Sequence, residues 1–113
     1  MDTRVKMRVR VMKYAHYIYH NSNRDWSNSL STAWQIYFCM KFMCNGSVKF
    51  FYRKQDGTIR CAFGKLKGIS RKKKNKLPRE PRFDIFVYYD LEKDDFRCFK
   101  TENFIAASRV WTR

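Results

Sequence analysis

The sequence is poor in acidic residues and in glycine. Asp and Glu total 10 against 25 Lys and Arg, which leaves a formal net charge of +15 on 113 residues. The four glycines form no Gly-rich phosphate-binding loop or dinucleotide fingerprint, and no nucleophile elbow is present. We therefore predict a protein that is not an enzyme and that uses no cofactor, with a polyanion or an acidic surface as its partner.

Long apolar runs are also absent. No stretch of about 18 uncharged apolar residues occurs, so no transmembrane helix and no membrane partner are predicted. The first twenty positions are interrupted by basic residues, which is atypical of a signal peptide; these are Arg4, Lys6, Arg8, Arg10 and Lys13. A cytoplasmic location is therefore expected. In that reducing compartment the four cysteines, none in a Cys-x-x-Cys pair, are expected to be free thiols.

The chain nevertheless has the composition of a folded domain. Hydrophobic residues make up 44% of it and aromatic residues 18%, which excludes general disorder. Its length allows one hydrophobic core rather than two. We predict one structural unit in which residues 1–46 form an N-terminal helical extension and residues 47–113 form a β domain.

The positive charge is concentrated in the middle of the chain. Residues 47–82 carry 13 basic and 2 acidic side chains, whereas residues 83–113 carry 5 and 6. The densest part, residues 65–82, is predicted to be a basic loop, because like charges repel and Gly68 and two prolines interrupt regular structure. Since its charges are almost all of one sign, anion binding is favoured over a merely solvated loop.

Two helices are predicted before residue 47. Residues 5–20 begin with a strand-like alternation, but a helical stripe joins their second half to the first, so a helix is favoured. The second helix is predicted to begin at Ser27 as N-cap and to end at Asn45-Gly46.

Five short strands are predicted after residue 47. The Asp56-Gly57 pair is typical of a two-residue hairpin turn, which would place Arg53 opposite Arg60 and Phe51 opposite Ala62. Further strands are expected at residues 83–90, 96–100 and 104–111. Because closure hides sheet edges, we predict an α+β fold with two N-terminal helices followed by a five-stranded SH3-like or Sm-like β-barrel.

Three segments carry a family resemblance. Val48–Leu66, Phe86–Phe99 and Glu102–Ile105 resemble the WYL-like, Sm-type SH3 β-barrel family, small proteins typical of phages and mobile elements of gut bacteria. The segment from Trp26 to Trp34 is similar to the helical extension of some members. The resemblance implies a small barrel in a bacterial host cell and supplies no catalytic motif; the Trp-Tyr-Leu signature of the larger WYL regulators is missing.

Two other chemistries, zinc binding and Mg²⁺-dependent nuclease activity, have candidate residues in the sequence. His16 and His20 lie four residues apart, so one helix face would carry both, but two further zinc ligands are not apparent. The carboxylates of the C-terminal third could hold Mg²⁺ in a nuclease, but Asp84 and Asp90 are about 20 Å apart along a strand. We predict neither a metal site nor a catalytic site.

The favoured hypothesis is a non-catalytic nucleic-acid-binding barrel, with DNA or RNA as partner and with mainly electrostatic, weakly sequence-selective contacts. Phe51 is the preferred candidate for stacking on a base. The predicted binding residues are Lys49, Phe51, Arg53, Lys54, Arg60, Lys65, Lys67, Arg71, Lys72, Lys73, Lys74 and Lys76. The alternative is a phage-encoded counter-defence protein, anti-CRISPR-like or other, that binds an acidic host protein or nucleoprotein complex such as a defence nuclease. A protein packaged beside phage DNA is a third possibility.

Overall fold

The computed structural model describes residues 3–70, 74 and 82–108. Two helices precede five strands, as predicted. The elements are α1 (Thr3–Asn21), α2 (Trp26–Met43), β1 (Val48–Arg53), β2 (Ile59–Lys65), β3 (Ile85–Asp90), β4 (Asp95–Lys100), a 3₁₀ turn (Thr101–Asn103) and β5 (Phe104–Ser108).

The start of α2 differs from the prediction by two residues. Asp25, not Ser27, is the N-cap, and its carboxylate accepts a hydrogen bond of 2.7 Å from the Asn28 amide. A carboxylate at this position satisfies one of the amides that have no partner within the helix. Ser27 consequently lies inside the first turn of α2.

The C-terminal end of α2 is fixed to the sheet. The amides of Asn45 and Gly46 both donate to the Phe42 carbonyl at 3.0 Å and close the last turn. The Leu66 amide, which follows β2, donates to the Met43 carbonyl at 2.9 Å. The helix end and the end of β2 are therefore held together by main-chain contacts. Within the described ranges, neither helix is long and apolar enough to cross a membrane.

The five strands form one antiparallel sheet in the order β4-β3-β2-β1-β5. The predicted closure into a barrel is not found in the described part of the chain, where β4 and β5 lie at opposite edges of the sheet. After β4 the chain turns back toward β3, since the buried Thr101 donates from its amide to the Asp84 carbonyl at 3.0 Å and from its hydroxyl to Phe83 at 2.8 Å. β5 then pairs with β1.

The register of the β1–β2 hairpin differs by one residue from the prediction. Tyr52 lies opposite Arg60 and Arg53 lies opposite Ile59, so the predicted pairing of the two arginines is wrong. A two-residue turn of the predicted type needs positive φ at both central residues, but of the Asp56-Gly57 pair only Gly57 has it, at 91°. The loop contains one more residue, because Lys54 pairs with Thr58 through a 2.7 Å hydrogen bond.

The core lies between the helices and one face of the sheet. From the sheet it takes mainly aromatic rings, and Tyr52 and Phe99 stack with their centroids 4.8 Å apart. From α1 and α2 it takes smaller side chains at helical spacing, including Ile18 and Ile36, which are fully buried. The helices thus cover the inner face of the sheet and leave the outer face of β1 and β2 uncovered by the described elements.

Candidate nucleic-acid interface

Three of the predicted binding residues share the outer face of β1. Lys49, Phe51 and Arg53 alternate with the buried residues of the strand, so their side chains project to the side away from the core. The Lys49 ammonium lies 5.6 Å from the centroid of the Phe51 ring. Phe51 is half-buried and lies opposite Cys61 on β2 and Ala106 on β5.

Arg60 is on the other side of the sheet, because it pairs with the inward-facing Tyr52. Its guanidinium forms a 2.5 Å ion pair with Asp90, whose side chain is fully buried. Asp90 also accepts hydrogen bonds from the Tyr88 hydroxyl at 3.3 Å and from the Glu92 amide at 2.9 Å. The Tyr88 and Tyr52 hydroxyls are 3.1 Å apart. Arg60 is therefore oriented by a buried polar network.

Two groups of this network, Arg60 and Tyr88, have raised pKa values. Burial alone would lower the pKa of Arg60, but the neighbouring Tyr52, Tyr88 and Asp90 outweigh it and the pKa is raised. Burial, together with the hydrogen bond to Tyr52, raises the pKa of Tyr88 far above its ordinary value of 10.0. The arginine stays positively charged and the phenol stays a hydrogen-bond donor.

A cavity of about 480 Å³ opens between the β1–β2 hairpin and the β3–β4 pair. Five of its twelve lining residues are basic and one, Asp56, is acidic. The basic residues are Arg53, Lys54, Arg60, Arg97 and Lys100. Apolar atoms line part of the wall, contributed by Tyr52, Ile85 and Phe99, and the remaining lining residues are Gln55, Cys98 and Asn103. The arrangement combines a high local positive charge with aromatic surface.

Two of these basic residues were not among the predicted ones. Arg97 and Lys100 lie on β4, in a third of the chain whose net charge is −1, so a search for charge density passes over them. A different signal was available, because Arg97 is two residues from the buried Phe99 along β4 and must therefore share its face of the sheet. A cation on the core-facing side of a strand indicates that a polar, solvent-accessible site lies at the edge of the core there.

The remaining predicted residues do not line this cavity. Lys65 lies opposite Tyr89, with its ammonium 5.7 Å from the ring centroid, beside a smaller cavity of about 280 Å³. Lys67 and Lys74 are exposed. The rest of the predicted loop residues fall outside the described part of the chain: Arg71, Lys72, Lys73 and Lys76. The structure thus brings together Arg53, Lys54 and Arg60 and leaves Lys49, Lys65 and Lys67 outside that cavity.

The candidate metal ligands have other neighbours. The His16 and His20 rings are 6.3 Å apart, and His16 also lies 4.9 Å from Trp26. Asp84 pairs with Arg82 and Asp90 with Arg60. Within the described residues no three His, Cys, Asp or Glu side chains form a group able to hold a metal ion.

Comparison with known proteins gives one match. A family model described as WYL_2, Sm-like SH3 beta-barrel fold, matches residues 39–105, which is more than half of the chain. No curated protein and no solved structure matches the sequence. The matched range begins within α2 and ends in β5, so it includes every residue that lines the larger cavity.

Proposed function

The chain belongs to the WYL_2 family of Sm-like SH3 β-barrel proteins, and we propose that it uses this scaffold as a non-catalytic nucleic-acid-binding protein. The observation that carries the proposal is the cavity with five basic lining residues against one acidic residue. Cations at this density repel one another, and a polyanion relieves that repulsion because its phosphates lie between them. Arg60 is oriented within this cavity by its ion pair with Asp90.

The binding surface extends from the cavity to the outer face of β1. Arg53 belongs to both, since it projects from the outer face and also lines the rim of the cavity. Its guanidinium donates a 2.8 Å hydrogen bond to the Gly57 carbonyl, which holds the side chain against the hairpin. Phe51 and Lys49 next to it supply an aromatic ring and a further cation, the combination that single-stranded nucleic acids bind.

Few side chains of this surface are amides, the type that reads adenine. Gln55 and Asn103 are the amides that line the cavity, whereas most of its polar lining is cationic. Cations contact phosphates of any sequence, and amides are the side chains that recognise adenine. Binding is therefore expected to be largely independent of sequence and strongly dependent on salt.

Fluorescence anisotropy with labelled single- and double-stranded DNA and RNA tests the proposal. Each phosphate contacted in a single strand contributes about −0.7 to the slope of log K against log salt. Because Arg60 is already paired with Asp90, contacts from the other four basic lining residues predict a slope of about −2.8. A flat salt dependence, or no binding at low salt, would reject it. The comparison of the four oligonucleotide types assigns the preferred strand.

A matched pair of double variants separates a defined site from net charge. Replacing the cavity residues Lys54 and Lys100 by Ala removes two charges, and so does replacing Lys6 and Lys93, which are exposed and do not line the cavity. We expect the first variant to lose at least about tenfold in affinity and to have a shallower salt slope by about 1.4. An equal loss in both variants would show that net charge alone is responsible.

An acidic host protein is the competing partner, and an origin in a phage or mobile element would give it a counter-defence role. A pull-down from nuclease-treated bacterial lysate distinguishes the two, because a nucleic-acid partner is destroyed and a protein partner is retained. A stoichiometric protein that is lost with the Lys54 and Lys100 variant, combined with no oligonucleotide binding, would replace the present proposal. The gene neighbourhood tests the phage origin independently.

A further inference from the structure

Helix α1 carries a row of exposed apolar side chains on the side away from the core. Val5, Val9, Met12 and Tyr19 are 39–44% exposed, although all four are large hydrophobic residues. The buried residues of the same helix, including Val11 and Ile18, lie on the opposite side. Helix α1 therefore has two apolar sides, of which only one belongs to the core described above.

The exposed residues have the spacing of a coiled-coil seam. Val5, Val9, Met12, His16 and Tyr19 follow one another at steps of four, three, four and three residues, which is the alternation of the a and d positions of a heptad. At about 100° per residue they fall within a strip about 80° wide, and they extend over about 21 Å of helix. We call this row the α1 seam.

Trp26 extends the α1 seam at its C-terminal end. Its ring centroid lies 4.9 Å from that of His16 and 5.7 Å from that of Tyr19. Trp26 is the first residue of α2 and is only half-buried. The seam consequently ends on an aromatic cluster of the kind that fills a pocket in a protein interface.

Basic residues flank the α1 seam on both sides. Lys6 and Lys13 lie on one side and Arg8 on the other, at the positions that correspond to e and g of the heptad. If two copies of this helix paired through their seams, Arg8 would face Lys13 of the other copy in a parallel pair, and Lys6 would face Lys13 in an antiparallel pair. A partner helix with acidic e and g positions would instead place a carboxylate opposite each of them.

We propose that the α1 seam binds an amphipathic helix of another protein, with apolar a and d positions and acidic flanks. The site is separate from the cationic cavity, so this inference goes beyond the proposed function and does not depend on it. A lipid surface fits less well, because interfacial helices present a broad apolar face, whereas the seam is narrow and the rest of α1 is fixed against the core.

A designed peptide provides the probe. It contains three heptads with Leu at a and d and Glu at e and g, and its binding to the full chain is followed by anisotropy. Two control peptides keep the same length, one with Lys at e and g and one with Ser at a and d. We expect only the Glu peptide with Leu at a and d to bind, because the other two lack either the complementary charge or the apolar seam.

Variants of the exposed residues locate the binding. V9S combined with M12S should weaken the Glu peptide by at least about tenfold, the equivalent of 1.4 kcal/mol. I59S is the matched control, since Ile59 is 60% exposed but lies on β2, and it should leave peptide binding unchanged. K6E combined with K13E should reverse the preference from the Glu peptide to the Lys peptide. Circular dichroism checks that each variant is folded.

Four results would overturn the proposal. The first is that the Glu peptide does not bind the wild-type chain, and the second is that it binds the V9S and M12S double variant as tightly as the wild type. The third is that the wild-type chain forms a dimer that this double variant abolishes. The fourth is that the chain binds phosphatidylserine vesicles through Val9 and Met12 while the Glu peptide does not bind. Oligonucleotide affinity of the same variant should be unchanged, so failure of this inference and failure of the proposed function are measured separately.

Discussion

Asp90 and Asp84 each form an ion pair of 2.5 Å with an arginine, but their surroundings differ. The Asp90 side chain is fully buried and its partner Arg60 is 18% exposed, whereas Asp84 and its partner Arg82 are 37% and 49% exposed. Water screens the second pair and has little access to the first. The two pairs therefore allow the effect of burial to be measured within one chain.

We predict that Asp90→Ala lowers the free energy of unfolding by about 3–5 kcal/mol, because it leaves Arg60 without its partner in a largely buried site. Asp84→Ala should cost less than about 1 kcal/mol. Urea titrations of both variants at neutral pH measure the difference. Similar losses in the two variants would contradict this account of the network that orients Arg60.

The Asp84 contribution should also depend on pH. The hydrogen bond from Arg82 lowers the pKa of Asp84 in the folded chain. The ionised form is thus favoured in the folded state, and the stabilisation is present at neutral pH and lost as the pH falls through this lowered pKa. Wild type and Asp84→Ala should accordingly converge in stability in acid.

Cys39 differs from the other cysteines in its accessibility. It is buried, and burial raises the pKa of its thiol to about 12, whereas Cys44, Cys61 and Cys98 are exposed. Since the thiolate is the reactive form, we predict that iodoacetamide modifies the three exposed cysteines of the folded protein and all four in urea. Intact-mass spectrometry counts the adducts. A fourth adduct formed at the same rate under native conditions would contradict the burial of Cys39.

At the scale of the elements, Gly64 shows how closely β2 and α2 approach. A Cβ added at this position would lie 2.7 Å from Tyr88, 3.1 Å from Phe50 and 3.2 Å from Met43. These distances are below ordinary van der Waals contact, and the neighbours are ring and chain atoms of the core. Glycine is therefore the residue that lets the strand, the ring of β3 and the end of the helix meet.

We predict that Gly64→Ala destabilises the protein by about 1–3 kcal/mol through overpacking. Gly46→Ala is the matched control, because nothing lies within 4 Å of the corresponding Cβ position and the φ angle there is ordinary. Chemical denaturation should show a change of less than about 0.5 kcal/mol for the control. Equal effects would mean that the approach of β2 to Tyr88 is not tight.

The elements were largely predictable from the sequence, whereas their register was not. Alternation of apolar residues and the Asp56-Gly57 pair locate the β1–β2 hairpin, because both signals are contained in a short stretch of sequence. The same pair fits a two-residue and a three-residue loop, and the choice between them moves Arg60 from one face to the other. The partner that then orients Arg60 is 30 residues away in sequence, at Asp90.

The candidate site was predictable only in part for a related reason. Charge density along the chain indicates Arg53, Lys54 and Arg60, which lie close together in sequence. Arg97 and Lys100 join them through the β3–β4 pairing, in a segment that contains more acids than bases. The site depends on tertiary structure, so a count of charges within a segment cannot find all of it.

For the molecule as a whole, hydrogen bonds and a common hydrophobic core connect the helices to the sheet. The Arg24 guanidinium, between α1 and α2, donates to the Phe104 carbonyl of β5 at 2.7 Å and to the Thr32 hydroxyl at 3.0 Å. The core in turn combines residues of both helices with those of the sheet. Neither layer has a separate core in the described residues.

We therefore predict that the helices and the sheet unfold together. Hydrogen exchange followed by mass spectrometry, at increasing denaturant, should give the same opening free energy for peptides from α2 and from β1. Gly64→Ala in the sheet should lower both values equally. If the α2 amides opened at a clearly lower free energy than those of β1, the helices would be an independently folding part.

The hairpin between β1 and β2 has a backbone that is fixed before any ligand arrives. The Asp56 carboxylate accepts hydrogen bonds from the Thr58 hydroxyl at 2.6 Å and from its amide at 3.0 Å, and Arg53 donates to Gly57 across the loop. A tip braced in this way has little conformational entropy left to lose on association. Arg53 and Lys54 are thus presented on a preorganised backbone, and most of the conformational entropy lost when a complex forms is that of the ligand.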